Sequence, residues 1–294
     1  MLRGMGTMGG TWPGSCPRIE DAEIDPAQLT HHAGTLEVRL AAGVDIVRAQ
    51  ALRHAIFVEE MGARPTGGSS AGGASLDRDH YDEFCDHLVV IDHALPGLPV
   101  VGTYRLLRER VAMQVGGFYS AGEYDLEPLL RHGLAAGMGT QLLELGRSCV
   151  APAYRNHATI SLLWRAIAAY LEAHRIGFLF GCASFGGTDP RVHADSLAYL
   201  KRFHLAAAEI RVRTLAHHHV EMDEGAVTGD LTGRELPPLI KGYLRVGAKV
   251  GDGAFIDHDF NTVDVFMVMP VEHIVGRYGR RFGLVQPPRP PHGG

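Results

Sequence analysis

The stretch from Leu143 to Leu171, LELGRSCVAPAYRNHATISLLWRAIAAYL, constrains the fold more than any other part of the chain. It begins as an apolar run typical of a buried strand, and Pro152 follows in a tight turn. Apolar side chains then recur at helical spacing, at Ile160, Leu163, Trp164, Ile167, Ala168 and Leu171. A strand that leads through a turn into a helix presents backbone amides at the helix start, where phosphates and thioester cofactors bind. We therefore predict a strand, a binding turn and an amphipathic helix.

Two charged side chains, Glu144 and Arg147, interrupt this strand. A half-buried strand tolerates charged groups only when they are paired or functional. Residues three apart on a regular strand face opposite sides, which argues against a simple ion pair between them. Gly146 lies between them and would permit a bulge, which would make the pair possible again. The sequence leaves both interpretations open.

Composition excludes several classes of protein. The 294-residue chain has 46% hydrophobic and 21% charged residues and contains no long uncharged apolar segment, so we expect no membrane span. A net charge of −5 does not suit nucleic-acid binding, which needs a dense basic surface. The N-terminus lacks the apolar segment of a secretory signal, and the four cysteines lack metal-site or disulfide spacing. We therefore expect a cytoplasmic protein with reduced thiols and no metal site.

The pattern of the chain predicts one domain with disordered ends. Residues 1–34 are rich in Gly, Pro and His and predict a disordered extension, residues 35–283 the folded domain, and residues 284–294 a disordered tail. Flexible inserts are expected at about 64–76 and 206–234, and the adjacent histidines 217–219 are expected in a solvated loop. Pro237 and Pro238 predict the start of a short helix, whose Lys241, Tyr243 and Arg245 either line a pocket or lie on the surface.

The order of the remaining patterns predicts an α/β fold with a mixed sheet. Early strands, a hairpin and later strands alternating with crossover helices favour antiparallel pairing first and partly parallel pairing later. The predicted strands are Leu36–Leu40, His87–Ile91, Val100–Leu107, the strand around Glu144, Phe178–Ala183 and Val263–Met269. The predicted helices run from Val44 through Met61, from about Ile160 to Leu171, from near Pro190 to Phe203, and from Pro237 to near Gly247.

The turn VAPAYRNHATI resembles the acyl-CoA binding turn of the Gcn5-related N-acetyltransferase superfamily, which implies a twisted mixed sheet flanked by helices. Arg155 fits the first position of that turn, but Ala158 and Ile160 replace two glycines that let the backbone approach a pyrophosphate. A donor with a single phosphodiester, such as the phosphopantetheine arm of acyl carrier protein, would tolerate this change. The resemblance implies acyl-thioester binding by Ser148, Cys149, Val150, Arg155 and Ala158, with a backbone amide near Ser148 to Val150 as the oxyanion donor.

Four separated blocks, which cover about 95 residues in order, resemble the acyl-homoserine-lactone autoinducer synthases. They are Arg53 to Phe57, Asp79 to Asp82, Tyr104 to Leu107 and Glu144 to Arg147. A resemblance over nearly the whole predicted domain is to the ornithine-acyl-[acyl carrier protein] N-acyltransferases of ornithine-lipid synthesis, often labelled hemolysin-like. Its blocks are RHAIFVEEMGA, CDHLVV, VGTYRLL, GGFYSAGEYDL, LELGRSCV, LLWRAIAAY, FGCASFGGTDP, LPPLIKGYLRVGA and DFNTVDV.

This family resemblance implies an enzyme that transfers a (3-hydroxy)fatty acyl group from acyl carrier protein to the α-amine of L-ornithine, which gives lyso-ornithine lipid. It implies no permanently bound cofactor. The alternatives are the same reaction on glutamine, another amino acid or S-adenosylmethionine, or a non-catalytic acyl-thioester binding protein. An amphiphilic product is compatible with peripheral contact at the inner membrane. Acyl chain length and oligomeric state stay open.

The resemblance also implies roles for the charged residues. Glu144 would orient the amine and accept its proton, with Arg147 beside it in the catalytic pair. Asp79 and Asp82 would hold a cationic amino acid, or would form a solvated acidic edge. Arg105 and Arg147 would bind the substrate carboxylate, and Arg53 would either do the same or brace the acidic residues.

Acyl carrier proteins are strongly acidic, so a docking surface for one should be basic. Three basic clusters are candidates, although such a cluster is more often a solubilising surface than a docking site. They are Lys201–Arg202, Arg211 with Arg213, and Arg277 with Arg280 and Arg281.

Overall fold

The computed structural model describes residues 25–66, 73–97, 99–135, 141–223 and 235–272. The predicted tail 284–294, the cluster of Arg277, Arg280 and Arg281, and most of the predicted extension lie outside these residues. Parts of both predicted inserts also lie outside them. Within the described part of the chain, no helix is long and apolar enough to cross a membrane.

The first half of the fold is an antiparallel sheet with one long helix. Strands β1 (His31–Ala33), β2 (Leu36–Leu40), β3 (Asp86–Asp92) and β4 (Val100–Arg108) pair in chain order, each antiparallel to the next. Helix α1 (Val44–His54) follows β2 and continues as a π-helical segment, Ala55–Glu60. The predicted first strand, the helix through this region and the hairpin are therefore confirmed.

The second half adds the binding turn and the rest of the sheet. Helices α2 (Glu109–Gln114) and α3 (Glu127–Ala135) flank the short strand β5 (Tyr124–Asp125). Strand β6 (Gln141–Val150), helix α4 (His157–Ala173) and strand β7 (Ile176–Gly186) form the predicted strand, helix and following strand. The remaining elements are α5 (Ala194–His204), β8 (Arg213–Thr214), β9 (His219–Val220), α6 (Pro238–Arg245), β10 (Lys249–Asp257) and β11 (Thr262–Pro270).

The described strands form one mixed sheet, as predicted. Its order is β1-β2-β3-β4-β6-β7-β11-β10-β8-β5, and β9 pairs with β10 off this path. Strands β6 and β7 run parallel because α4 connects them as a crossover helix. Strand β11 then pairs antiparallel with β7 on one side and with β10 on the other. The early strands are antiparallel and parallel pairing enters late.

The main hydrophobic core lies between the sheet and α4, whose buried face includes Leu163, Ile167 and Leu171. Part of the predicted N-terminal extension belongs to this core. Residues 26–29 form a 3-10 helix before β1, and Leu29 is completely buried. The described fold therefore begins ahead of the predicted boundary at residue 35, because β1 pairs with β2 and the preceding segment buries Leu29.

Strands β6 and β7 part in the middle of the sheet. Their parallel pairing begins at Gln141 and ends at Glu144, which pairs with Phe180. The next residue of β7 is Gly181, and a β-carbon there would clash with the carbonyl oxygen of Leu145. A glycine is thus required at the point where the two strands separate. Beyond it, both strands continue with a gap between them.

Candidate active site

A cavity of about 630 Å³ opens where β6 and β7 part. Its walls come from the π-helical segment after α1, from β4, β6 and β7, from the first turns of α4, and from α6. Most of its side chains are apolar, including Phe57, Leu145, Val150 and Trp164. Three of its apolar residues, Met61, Ile160 and Leu239, are exposed side chains, each between 37% and 43% accessible. The cavity therefore has an apolar interior and an apolar rim.

Strand β6 carries the bulge that Gly146 suggested. Thr103 of β4 pairs with Cys149 and Arg105 pairs with Gly146, so two residues of β6 oppose one residue of β4. The bulge places Arg147 in the left-handed region, with a φ of 47°.

After the bulge, the amide of Ala151 donates to the carbonyl of Val101 in β4 (2.8 Å). Alternate amides of a strand point in opposite directions, so the amide of Val150 points away from β4 and towards the gap. A donor positioned in this way can stabilise a developing oxyanion.

Glu144 lines the cavity and is buried, with 5% of its surface exposed. Its two carboxylate oxygens accept hydrogen bonds from the backbone amides of Tyr119 and Ser120, each at 2.8 Å. Burial raises the pKa of Glu144, and these amide bonds oppose that shift. Glu144 and Arg147 thus form no ion pair with each other, because the carboxylate binds the start of the 3-10 helix Tyr119–Gly122 and the guanidinium points elsewhere.

Three arginines and three aspartates form a buried network beside the cavity. Arg53, which is completely buried, binds Asp77 (2.7 Å) and Asp82 (2.7 and 2.8 Å). Asp79 accepts from both Arg105 (2.6 Å) and Arg147 (2.9 Å). The network contains equal numbers of each charge, so it is electrically balanced. Against the opposing effect of burial, Arg147 and Arg53 keep the pKa of Asp77 low, and Arg53 and Arg105 keep that of Asp82 low.

The charged residues predicted from the sequence form two groups, those that line the cavity and those that do not. Glu144, Arg105 and Arg147 line it, whereas Arg53, Asp79 and Asp82 lie behind it and are not among its lining residues. Asp79 and Asp82 are not a solvated acidic edge, since Asp82 is 5% exposed and both bind arginines. Arg53 braces the acidic residues.

The side chains of Arg105 and Arg147 also stack on aromatic rings. The guanidinium of Arg105 lies 5.5 Å from the ring centre of Tyr119, and that of Arg147 lies 4.8 Å from the same ring and 4.3 Å from the ring of Phe260. The Nε of Arg147 is buried without a hydrogen-bond partner. Both arginines are therefore held rigidly at the cavity wall by ion pairs and aromatic contacts.

The predicted thioester-binding residues lie near the cavity mouth. Ser148, Cys149, Val150 and Arg155 line the cavity, and Ala158 is exposed on the first turn of α4 outside the lining. Arg155 forms a bidentate ion pair with Glu60 of the π-helical segment, with two distances of 2.7 Å. The first turn of α4 is capped by Asn156, whose side chain accepts from the amide of Thr159.

Helix α6 contributes one of its three proposed pocket residues. Tyr243 lines the cavity, its hydroxyl lies 3.3 Å from that of Tyr104, and its ring packs edge-on against Trp164. Lys241 and Arg245 are not among the lining residues. The pocket interpretation of this helix is confirmed for the tyrosine alone.

The structure brings three further acidic residues to the cavity, which the sequence reasoning missed. Glu123, Asp257 and Asp264, named here the carboxylate trio, are all buried and line it. One carboxylate oxygen from each lies within 4.8 Å of the others. For Asp264 alone a sequence signal was present, because it interrupts the apolar strand TVDVFMVM just as Glu144 interrupts its own strand.

Burial and electrostatic repulsion shift the ionisation of two members of the trio, Glu123 and Asp264. They raise the pKa of Glu123 to about 8 and that of Asp264 to about 6. Among the described residues, this is the one group of His, Cys, Asp and Glu side chains close enough together to hold a metal ion. The trio can therefore accept a cation of either kind, metal or organic.

Comparison with known proteins agrees with this geometry. Residues 52–165 match the family model of the Acetyltransferase (GNAT) domain, a span that runs from α1 into α4 and includes the bulged strand β6. A mixed sheet with a bulged strand at a central cavity, together with this match, defines the chain as a GNAT-fold acyltransferase.

Two relatives identify the family more narrowly. The L-ornithine N(alpha)-acyltransferase of Brucella abortus strain 2308 is 45% identical over 258 residues, which cover 85% of this chain and 89% of the relative. The enzyme of the same name from Agrobacterium fabrum strain C58 is 44% identical over 274 residues and 91% of each chain. The chain belongs to the family of L-ornithine N(alpha)-acyltransferases. The solved structure of the AHL synthase LasI aligns with 83% of this chain and 95% of its own, at 14% identity and a TM-score of 0.44.

Proposed function

We propose that the protein transfers a (3-hydroxy)fatty acyl group from acyl carrier protein to the α-amine of L-ornithine, forming lyso-ornithine lipid. The observation that carries this proposal is the 45% identity, over most of both chains, to a relative named for ornithine Nα-acylation. The apolar cavity beside a bulged strand supports it, because such a site can enclose an acyl chain with its thioester at the strand gap.

The proposed reaction forms an amide and releases a thiol. The neutral α-amine attacks the thioester carbonyl, the C–S bond breaks, and the pantetheine thiol leaves with a proton. Glu144 accepts the proton of the attacking amine, directly or through water, and its raised pKa brings it closer to neutral pH, where a general base is effective. The amide of Val150 stabilises the oxyanion of the tetrahedral intermediate.

The amino-acid substrate is held by its carboxylate in this proposal. Arg105 and Arg147 line the cavity and have the planar donor geometry that carboxylates prefer. Asp79 and Asp82 position these arginines and neutralise part of their charge, rather than contacting the substrate directly. Arg53 supports Asp82 by an ion pair of 2.7 Å.

The proposed donor is carried by acyl carrier protein. Arg155 at the cavity mouth and the first amides of α4 suit the single phosphate of a phosphopantetheine arm. Ala158 and Ile160 stand where close backbone approach to a pyrophosphate would favour glycine. The donor phosphate would compete with Glu60 for Arg155, because the two side chains are paired in the free protein.

Docking and membrane contact are further parts of the proposal. Arg202 and Arg211 stay candidates for the basic docking surface, and Lys201 and Arg213 share the acidic neighbour Asp252, which reduces their free charge. The exposed apolar rim of the cavity suits peripheral contact with a membrane that receives the amphiphilic product.

The direct test is mass spectrometry of the products formed by purified protein, acyl carrier protein thioesters and a panel of amines. The panel contains ornithine, lysine, glutamine, glycine and S-adenosylmethionine, and an acyl-CoA series replaces the carrier protein in parallel reactions. The expected product is Nα-acylornithine, formed faster from the carrier protein than from coenzyme A. Absence of any N-acyl product would favour a non-catalytic thioester-binding protein, and a preferred amine other than ornithine would replace the substrate assignment.

A further inference from the structure

The two groups of buried aspartates and glutamates near the cavity differ in how their charge is balanced. Asp77, Asp79 and Asp82 each form at least one ion pair with an arginine. Among the described residues, no Lys, Arg or His forms an ion pair with any member of the carboxylate trio. Buried carboxylates without a cation are costly, and proteins seldom retain them without a role.

One oxygen of the trio also lacks a hydrogen bond. The Oδ1 atom of Asp264 is buried without a hydrogen-bond partner, on a side chain that is only 5% exposed and lines the cavity. Leaving a buried acceptor unsatisfied costs about 1 to 3 kcal/mol, and more when the group is charged. A ligand that donates to this oxygen from the cavity would remove that cost.

The other two members of the trio are fixed by neighbouring groups. The thiol of Cys182 in β7 donates to Glu123 at 3.2 Å. The backbone amides of Asp259 and Phe260 donate to Oδ1 of Asp257 at 2.8 and 2.9 Å. These bonds use part of each carboxylate and hold it in place, and each carboxylate retains further acceptor capacity.

We propose that the carboxylate trio binds the side-chain ammonium of a diamino acid and thereby selects ornithine over amino acids with uncharged side chains. This inference rests on the proposed function, since it places the α-amine at the gap between β6 and β7. A primary ammonium has three donors and carries one positive charge. Three carboxylate oxygens within 4.8 Å of one another can receive those donors from one direction.

The geometry favours an ammonium over a metal ion. Calcium takes six to eight oxygen ligands and magnesium requires a near-octahedral set, whereas the trio offers three carboxylates in a cavity whose other walls are mostly apolar. Glu144, Arg105 and the trio line the same cavity, so an amino acid bound there faces both the proposed base and the trio. The trio therefore determines specificity.

The test compares ornithine with norvaline, which has the same carbon chain without the ammonium. Steady-state kcat/KM is measured for both amines with the full-length wild type and with Asp264→Asn, Asp257→Asn and Glu123→Gln. We expect wild type to prefer ornithine by at least about 10³-fold, and each variant to reduce that ratio by about 10- to 100-fold, mainly through the KM for ornithine. Glu109→Gln is the matched control, because Glu109 is a half-buried carboxylate outside the cavity that accepts from the amide of Leu142.

The outcomes separate this inference from the proposed function. A wild type that acylates ornithine and norvaline equally, or variants that are folded by thermal unfolding and keep the wild-type ratio, would overturn the role of the trio and leave the acyltransferase assignment intact. A wild type that acylates neither amine would overturn the proposed function itself. Loss of ornithine preference after treatment with EDTA, restored by added Mg²⁺, Ca²⁺ or Zn²⁺, would replace the ammonium site with a metal site.

Binding without turnover gives an independent readout. Calorimetric titration of ornithine into the protein without acyl donor should show binding that Asp264→Asn weakens about 10-fold or more, with norvaline binding unchanged. Identical ornithine affinities for wild type and this variant would contradict the proposal.

Discussion

At the scale of single residues, both the position of Glu144 in the cavity and its hydrogen bonds bear on its role. It lines the cavity as a base would, and it also binds the amides of Tyr119 and Ser120 with both oxygens. Those amides begin the short helix that leads to Glu123 of the carboxylate trio. Glu144 therefore positions the loop that completes the cavity, and under the proposed mechanism its loss would affect both proton transfer and cavity shape.

Replacement of Glu144 by glutamine and by alanine separates these roles. Glutamine keeps one oxygen that can accept an amide hydrogen bond but cannot take the amine proton at neutral pH. If Glu144 is the base, both variants should lower kcat by about 10²- to 10⁴-fold. If it only anchors the loop, the glutamine variant should retain much of the activity and the alanine variant should not.

Kinetics with ornithine and thermal unfolding of each variant provide the measurement. A folded Glu144→Gln protein with near-normal kcat would exclude the base assignment. The ratio between ornithine and norvaline gives a further check, because it should fall in the alanine variant if the anchored loop holds Glu123 in place.

The sequence was informative about residues only where the local pattern exposed them. Glu144 stood out as a charged residue in an apolar strand, and its cavity position is as expected for a functional residue. Glu123, Asp257 and Asp264 come from different parts of the chain and meet only through the pairing of β10 with β11 and β11 with β7. No local pattern contains that proximity, so the trio could not be identified before the fold.

At the scale of elements, the buried network joins α1 to the segment before β3 and to strands β4 and β6. Arg53 is its most buried member and donates to two aspartates and to the carbonyl oxygen of Asp77. The guanidinium thus replaces hydrophobic packing between a helix and a loop with charged hydrogen bonds. Without Arg53, Asp77 and Asp82 would stay buried and would keep only their longer contacts to Arg147 and Arg105, each at 3.4 Å.

Arg53→Met should therefore lower the free energy of unfolding by about 3 to 5 kcal/mol. The reason is that Asp77 and Asp82 lose their shared cation while they stay buried. Urea unfolding followed by far-UV circular dichroism measures the change. Arg191→Met is the control, because Arg191 pairs with Asp189 on the surface and its replacement should leave the unfolding midpoint unchanged. Equal stabilities of the Arg53 variant and wild type would contradict the role assigned to the network.

Strand β10 shows why the elements were predicted incompletely. Its sequence, KVGDGAFID, contains Gly251 and Gly253, which weaken a strand pattern. The structure uses both: pairing with β11 shifts register between Val250 and Ala254, and Gly253 takes a φ of 86° beside Thr214. A bulge and the close approach of β8 therefore require glycine where a regular strand would disfavour it.

At the scale of the whole molecule, the two acidic groups have opposite effects on stability as pH changes. The pKa values of Asp77 and Asp82 are lowered in the folded state, so they contribute stability above their unfolded values and lose it as pH falls. Glu123 and Asp264 act in the other direction, because their pKa values are raised in the folded state. Glu123 binds its proton more tightly in the folded state, with a pKa of about 8 against an ordinary 4.5, so its contribution is lost as pH rises across that window.

The melting temperature of the free protein should therefore fall between about pH 6 and pH 8 more steeply than that of Asp264→Asn, in which one repelling carboxylate is gone. The groups facing the trio are Cys182, Tyr124 and Glu144, none of which supplies positive charge, and Arg147, whose charge lowers the pKa of Asp264. Differential scanning fluorimetry across this range, with and without ornithine, measures the effect. Parallel pH profiles for the two proteins would contradict it, and ornithine should flatten the wild-type profile.

Under the proposed function, the apolar cavity also limits the length of the acyl chain. Each methylene that enters it from water contributes about 0.8 kcal/mol, so affinity for the donor should increase stepwise with chain length while room remains. The end of that increase is fixed by the enclosed 630 Å³ and by large side chains such as Trp164 and Tyr243 in the wall. Further carbons would have to leave through the exposed apolar rim, where Met61, Ile160 and Leu239 could cover them only in part. The acyl chain length of the product is therefore expected to follow from the size of the cavity between β6 and β7.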